Sequence, residues 1–344
     1  MFFKAFYYAT VIFAFTCFDV RTAKADFGFV CVYDQDYHSL SQSNFGVRDF
    51  SKELKDKVTN CLSPKFHLTG NITSYDHKAF LEFKRHYPKS MYLRQLYLNS
   101  AGGDLEAAIN IGRLVHKLGL QVLVETTPHQ TTPTVCYSSC VLVLAGGKMR
   151  FVWPSTGTEP SNIGIHRPYL SRVTTDLTSS KASDQLSSLR AILRSAFRDF
   201  NVSPDLADRM MAVPPDKIKF LTGDDLAYWG LNEDDPVHQT RHNNGMAVAY
   251  GLSLKEYINR RQLANTYCRN NPEVDYSKCV ANVDATGDPS RSDPRFYELE
   301  EEALEPCRHL SPLSSNDPSM DYEKAMELRE KWMRCRGKYF IDNR

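Results

Sequence analysis

Apolar and polar residues alternate with two different periods between residues 65 and 240. Short apolar runs bounded by glycine, proline or polar turns predict buried strands at 65–68, 93–98, 121–125, 149–153 and 163–166. Longer stretches with apolar residues on one helical face predict helices at 75–87, 104–119, 141–144 and 177–200. Strands that alternate with helices in this way are typical of an α/β fold.

The two ends of the chain differ from this middle region. Residues 1–25 combine a lysine, an apolar run at 5–18 and the small-x-small triplet Ala23-Lys24-Ala25, which predicts a cleaved secretory signal peptide. The alternative is an uncleaved membrane anchor. Residues 26–64 form an N-terminal segment with one strand predicted at 27–33. Residues 241–344 form a polar, cysteine-bearing extension with helices predicted at 296–305 and 322–335 and a linker or long loop at 284–295.

Charge and motif content exclude some classes of function. The 344 residues hold 42 lysines and arginines against 41 aspartates and glutamates, a net charge of +1. Because no basic stripe is available to neutralise phosphates, we expect no nucleic-acid partner. The chain also lacks the glycine-rich loop with lysine that cradles ATP phosphates. We therefore expect an ATP-independent protein that needs no cofactor.

Cysteine content indicates an oxidising compartment. Eight cysteines follow Cys17, and an even number in an exported chain predicts disulfides, the alternative being buried free thiols. The simplest pairing joins sequence neighbours: Cys31 with Cys61, Cys268 with Cys279, and Cys307 with Cys335. Cys136 and Cys140 can pair only if no helix has begun at Cys136, since an i,i+4 pair on a regular helix fits disulfide geometry poorly. They lack a matched second pair of zinc ligands, so no metal site is predicted.

Two motifs combine a backbone anion cradle with a hydroxyl nucleophile. Gly102 and Gly103 join a predicted strand to a helix that Asp104 would cap, and without β-carbons they let the backbone approach a ligand. Ser138 and Ser139 precede the apolar helix at 141–144, so that a nucleophile and an oxyanion-stabilising amide come as neighbours. Taken singly, each motif also fits an ordinary structural role, as a strand-to-helix turn or a helix cap.

A histidine completes the chemistry. His166 ends a predicted strand and precedes Pro168, which stops regular structure. An imidazole with an ordinary pKa can accept the proton of a serine and return it to a leaving group. A lone histidine equally fits a packing role. A cysteine nucleophile is a further alternative, disfavoured by oxidising conditions. Together the three motifs contain the parts of a serine acyl-transfer site.

Five segments occur in an order that resembles that of a known family. They are residues 66–70, 99–103, the serine at 138 ahead of 145–147, 165–168, and 220–231. This order resembles the proteolytic subunit of the Clp protease, over about residues 65–235. The cysteine-flanked serine resembles exported relatives within the Clp protease/crotonase superfamily.

The resemblance implies a fold and a set of roles. The fold would be a spiral of ββα/βαβ units, here followed by a helical C-terminal extension. Ser138 would be the nucleophile and His166 the base. Ser139 and either Gly102 or Gly103 would donate the oxyanion amides.

The chain departs from the family's pattern at two positions. Ala101 stands where the family usually has proline. The aspartate that completes the family's triad falls on Ile218, and Asp216 lies two residues away, where it could substitute if the loop shifts. Without it, the site is a Ser–His dyad or is inactive, because loss of the orienting carboxylate lowers the rate by orders of magnitude.

These observations predict an exported serine hydrolase, periplasmic or secreted, acting on a peptide or protein substrate. The first alternative is a non-catalytic binding or assembly protein that retains the fold. A crotonase-like acyl-CoA enzyme is a second alternative, which export away from CoA disfavours. The resemblance also implies a homo-oligomer, and we expect no stable membrane span after signal cleavage.

Overall fold

The computed structural model describes residues 26–32, 56, 58–59, 61, 63–126, 133–155, 157–169, 179–271, 273–317 and 319–343. The described strands are β1 Asp26–Val32, β2 Ser63–Ile72, β3 Gln95–Gly103, β4 Gln121–Glu125, β5 Cys136–Tyr137, β6 Met149–Trp153, β7 Pro160–Ile165 and β8 Lys219–Thr222. The described α-helices are α1 Ser74–His86, α2 Leu105–Leu118, α3 Cys140–Ala145, α4 Ser179–Asp199, α5 Asp205–Ala212, α6 Gly223–Trp229, α7 Pro236–Ala249, α8 Leu254–Leu263, α9 Tyr276–Thr286, α10 Pro294–Glu302, α11 Leu304–Cys307 and α12 Tyr322–Asn343.

The strands form a mixed sheet in which β3 belongs to two branches. Its first residues, from Gln95 to Tyr97, pair with β4, which continues in parallel to β6. Further along, Ser100 of β3 pairs with Cys136 of β5, and β5 continues in parallel to β7. β1 and β8 are the antiparallel members, beside β2 and β7. Because β3, β5 and β7 are parallel, their carboxyl ends lie at one edge, where α/β proteins usually hold their ligands.

The α/β prediction is confirmed for this region. The boundaries of α2 follow the predicted signals: the side chain of Asp104 accepts a hydrogen bond from the Ala107 amide at 2.7 Å, and Gly119 ends the helix at a φ of 72°. Two details of the prediction were wrong. β2 is longer than expected, and Gly102 and Gly103 are the last residues of β3 rather than a turn, because Asn71 and Ile72 of β2 continue to pair with them.

Arg150, a buried residue of β6, connects three helix ends. Its guanidinium donates to the carbonyl oxygens of Ala145, Phe200 and Gly230, at 3.0, 2.7 and 2.6 Å. These residues lie at the carboxyl ends of α3, α4 and α6, where unpaired carbonyls and the helix dipole favour a cation. The end of the short buried helix α3 is thereby fixed relative to the rest of the α/β region.

The helices that follow β8 pack on the α/β region and carry two of the predicted disulfides. Cys268–Cys279 and Cys307–Cys335 are both formed, and the second joins the region after α10 to α12, as predicted. The predicted boundary at residue 240 lies inside α7. The expected loop at 284–295 is shorter than predicted, since α9 continues to Thr286 and α10 begins at Pro294.

Other predictions concern the N-terminal part of the chain. Cys61 is disulfide-bonded, but the side chain of Cys31 lies outside the described residues, so the Cys31–Cys61 pairing stays a prediction. Residues 1–25 also lie outside them, as does the end of the predicted strand at Tyr33. Among the described helices, none combines the length and apolarity that crossing a membrane requires.

Candidate active site

Ser138 occupies a tight elbow between β5 and α3. Its φ is 56°, a left-handed conformation that residues with a β-carbon rarely adopt and that disfavours serine by about 1–2 kcal/mol. The Ser138 amide donates to the Gly164 carbonyl of the neighbouring strand β7 at 2.8 Å. Strained backbone of this kind is concentrated at functional sites, and nucleophilic serines of α/β enzymes occupy similar elbows.

Gly102 allows β3 to lie directly against this elbow. A β-carbon at Gly102 would come within 2.7 Å of Ser138 Cβ and 2.9 Å of the Tyr137 carbonyl oxygen, closer than real contacts allow. Gly102 also has a φ of 100°, which a larger residue would adopt only with strain. Gly102 thus allows close approach of Ser138, whereas Gly103 allows close approach of the Ile72 backbone of β2.

A disulfide encloses the elbow. Cys136 and Cys140 are bonded, with their α-carbons 5.3 Å apart. The bond forms because Cys136 belongs to β5 and the helix begins only at Cys140, which is the condition that the sequence required. The candidate nucleophile therefore lies inside a covalently closed loop of the backbone.

His166 is the first residue after β7. β7 pairs with β5, the strand that precedes Ser138. The ring is buried, and its Nδ1 lies 2.9 Å from the carbonyl oxygen of Arg167. Since a carbonyl only accepts, this contact requires a proton on Nδ1 and leaves Nε2 of the neutral ring as the basic nitrogen. The Tyr169 ring packs edge-on against the imidazole at 5.7 Å. Ser138 and His166 are not hydrogen-bonded to each other.

The candidate third member of the triad does not contact the histidine in this structure. β7 and β8 are antiparallel with Ile165 opposite Lys219, so the next pair in the same register places Ile218 opposite His166. Ile218 is 44% exposed, and its Cγ2 would lie 2.6 Å from a β-carbon on Gly164. Asp216 is exposed and makes no hydrogen bond or ion pair within the part of the chain that the structure describes. Its catalytic role stays a prediction.

The candidate oxyanion donors differ in availability. The Gly102 amide donates to Ser100 Oγ at 3.1 Å, and that hydroxyl donates to the Gly70 carbonyl at 2.6 Å. The Ser139 hydroxyl donates to the Gly103 carbonyl at 3.2 Å. The backbone amide of Ser139 donates no hydrogen bond to any of the described residues. The structure thus brings the glycines and both serines together at one edge of the sheet.

A groove of about 1170 Å³ opens beside these residues. Gly103, Ser138 and Ser139 line it together with residues of α2 and α4. His166 does not line the groove, whereas Pro168 and Tyr169 do. Ser138 is therefore part of the wall of an open groove.

Sequence reasoning missed three contributors to the site. Gly164 anchors the Ser138 amide, and the signal for it was a glycine inside a predicted strand, which often marks close approach of another backbone. The hydroxyl of Ser100 and the carbonyl of Arg167 had no signal, because every such group looks alike until its neighbours are known.

Comparisons with known proteins add little to this geometry. No family model and no curated protein matches the chain. Among solved structures, the chain is similar to a mutant of the 1510-N membrane-bound stomatin-specific protease, at 15% sequence identity and a TM-score of 0.34. The match covers 52% of this chain and 83% of that one. A likeness of this size is a loose relation and assigns neither family nor activity, so the class that the fold defines is an α/β protein with a mixed sheet.

Proposed function

We propose that this protein is an exported, ATP-independent serine hydrolase that cleaves peptide bonds, with Ser138 as nucleophile and His166 as base. The observation that carries the proposal is the left-handed backbone of Ser138 at the end of β5. That strand lies beside the strand that precedes His166. Among the described residues, His166 Nε2 and the Ser139 amide have no hydrogen-bond partner. Together with the strained serine they would supply the three functions that acyl transfer needs.

The reaction would proceed in two halves. Ser138 Oγ attacks the scissile carbonyl while its proton passes to His166 Nε2, and the Ser139 amide stabilises the negative oxygen that develops. The protonated ring then gives its proton to the leaving amine, and water hydrolyses the acyl-enzyme by the same route. The Arg167 carbonyl keeps the ring in the required tautomer, although it stabilises the imidazolium less than a carboxylate does. Asp216 would join the ring if its loop moves.

Three observations favour a second candidate, a non-catalytic binding or assembly protein. Continuation of the β7–β8 register would place Ile218 opposite His166, Asp216 is exposed, and the Gly102 amide already donates to Ser100. Each weakens one component of the catalytic machinery. This candidate retains the groove but has no turnover.

A fluorophosphonate probe separates the two candidates. Covalent labelling of the purified protein that is lost in Ser138→Ala and retained in Ser188→Ala supports the hydrolase. Ser188 is the matched control because it lines the same groove on α4. Absence of labelling from mildly acidic to mildly basic pH supports the binding protein.

The arrangement of the strands and the cellular compartment are part of the same proposal. We propose that the strands form the spiral of the Clp protease/crotonase superfamily, a view supported by the division of β3 between two branches of the sheet. Disulfides fit an oxidising compartment, so we propose periplasmic or secreted location after removal of residues 1–25. Division into segments at 26–64, 65–240 and 241–344, and a homo-oligomeric state, remain proposals as well.

A further inference from the structure

Apolar side chains line part of the groove beside Ser138. Ile109 of α2 is buried and Leu189 of α4 is partly buried. Ile192 and Tyr169 also line the groove and are 50% and 68% exposed. Exposed apolar side chains that line a concavity next to a reactive group are typical of a ligand surface.

The charged residues that line the groove are unequal in sign. Asp104, Glu106 and Asp184 contribute carboxylates, whereas Arg113 contributes the cation among the lining residues. Arg113 is already paired with Asp199 of α4 at 3.3 Å. Among the residues that line the groove, negative charge therefore exceeds positive charge.

Two of these carboxylates are available to a ligand. Asp104 uses one oxygen to cap α2. Glu106 and Asp184 are exposed, and neither makes a hydrogen bond or ion pair with any residue in the described ranges. They lie on different sides of the groove, one on α2 and one on α4.

We propose that the groove binds substrate peptides that carry lysine or arginine beside apolar side chains, with Glu106 and Asp184 as the residues that select the basic groups. The apolar part of such a peptide would cover Ile109, Leu189 and Ile192. This inference rests on the proposed function, because it treats the bound peptide as the substrate of Ser138. Charge complementarity excludes acidic peptides and favours basic ones.

The test measures binding without turnover. Fluorescein-labelled peptides that are identical except for lysine, glutamine or glutamate at the same positions are titrated with the Ser138→Ala protein, and fluorescence anisotropy is recorded. The lysine peptide should bind tightest and the glutamate peptide weakest, and added NaCl should reduce the difference. The double variant Glu106→Gln/Asp184→Asn should weaken binding of the lysine peptide about threefold to tenfold.

A matched control is Glu327→Gln, because Glu327 is an exposed carboxylate on α12 that does not line the groove and has no ion pair within the described part of the chain. Equal binding of the three peptides, absence of binding, or an equal loss in the control variant would overturn the inference. The two proposals fail separately. Charge-dependent binding by a protein that the fluorophosphonate does not label refutes the hydrolase alone, whereas labelling without charge preference refutes the substrate class alone.

Discussion

At the scale of single residues, Ser138 has an unfavourable backbone conformation. Its amide donates to the Gly164 carbonyl, and its β-carbon lies so close to Gly102 that any larger residue there would clash. The residue at this position is serine, although glycine would adopt the same backbone conformation with less strain. The proposed chemical role of Ser138 would account for a serine at this strained position.

If the backbone at Ser138 is strained, glycine should be more stable there than alanine. The free energy of unfolding of Ser138→Gly should exceed that of Ser138→Ala by about 1 kcal/mol, because glycine adopts positive φ freely and alanine does not. Both variants should lose fluorophosphonate labelling. Chemical denaturation followed by circular dichroism measures the difference, and an alanine variant as stable as the glycine variant would refute the strain.

A second prediction concerns the position opposite His166. Ile218→Asp should place a carboxylate where it can stabilise the imidazolium, and we expect the rate of fluorophosphonate labelling to rise about tenfold. Ile218 is half-exposed, so the charge enters without burial. Ile218→Asn is the control with similar shape and no charge. Equal rates in the two variants would mean that position 218 does not face the ring.

At the scale of elements, the site depends on how β5 and α3 meet. The Cys136–Cys140 disulfide closes this junction at its start, and Arg150 holds the other end of α3. Both constraints act on a helix that Ser139 immediately precedes. The junction is therefore fixed at both ends.

Removing the first constraint should affect reactivity more than the removal of a distant disulfide. The variant Cys136→Ala/Cys140→Ala should lose about 2 kcal/mol of stability and label more slowly at Ser138, because the elbow gains conformational freedom. Cys268→Ala/Cys279→Ala is the matched control, since that bond lies in the C-terminal extension. Labelling rates under pseudo-first-order conditions provide the comparison, and a similar slowing in both variants would contradict a local role.

The elements were largely predictable from the sequence, and their arrangement was not. The hydrophobic periodicity predicted the bounds of α2 and β4 closely. For α2, the capping Asp104, the terminal Gly119 and the regular apolar spacing all agree. The same periods placed Gly102 in a turn, since nothing in a local pattern indicates that β2 continues beside it. Contacts such as Ser138 to Gly164 depend on strand order, and the Arg167 carbonyl contact depends on a ring orientation. Both are set by packing over the whole domain.

At the scale of the whole molecule, buried polar groups join the C-terminal extension to the α/β region. Lys148 lies 3.1 Å from Asp235 and 2.7 Å from His116, and its ammonium lies 4.3 Å from the ring of Tyr322 on α12. Such a network stabilises the position of α12 only while each buried polar group keeps the protonation state that its hydrogen bonds and ion pairs require.

Acid should therefore weaken this attachment. Burial and nearby cations lower the pKa values of His116, His238 and His242 to about 4, from the 6.5 of an unfolded histidine. Between about pH 6.5 and pH 4 the unfolded chain binds protons that the folded chain does not. Stability is therefore full above pH 6.5 and falls as the pH drops, by about 1–3 kcal/mol per histidine.

Denaturant unfolding at pH 7.5 and pH 5 measures this effect. The double variant His238→Gln/His242→Gln should show a smaller difference between the two pH values than the parent protein. An unchanged difference would mean that other groups carry the pH dependence.

The most direct test of the central claim is to locate a covalent adduct. The intact protein is treated with a fluorophosphonate, digested, and the modified peptide is sequenced by tandem mass spectrometry. The account predicts one phosphonylated residue, Ser138, in the peptide that also contains Cys136 and Cys140. An adduct on any other residue, or an unmodified protein, would contradict the assignment of Ser138 as a nucleophile.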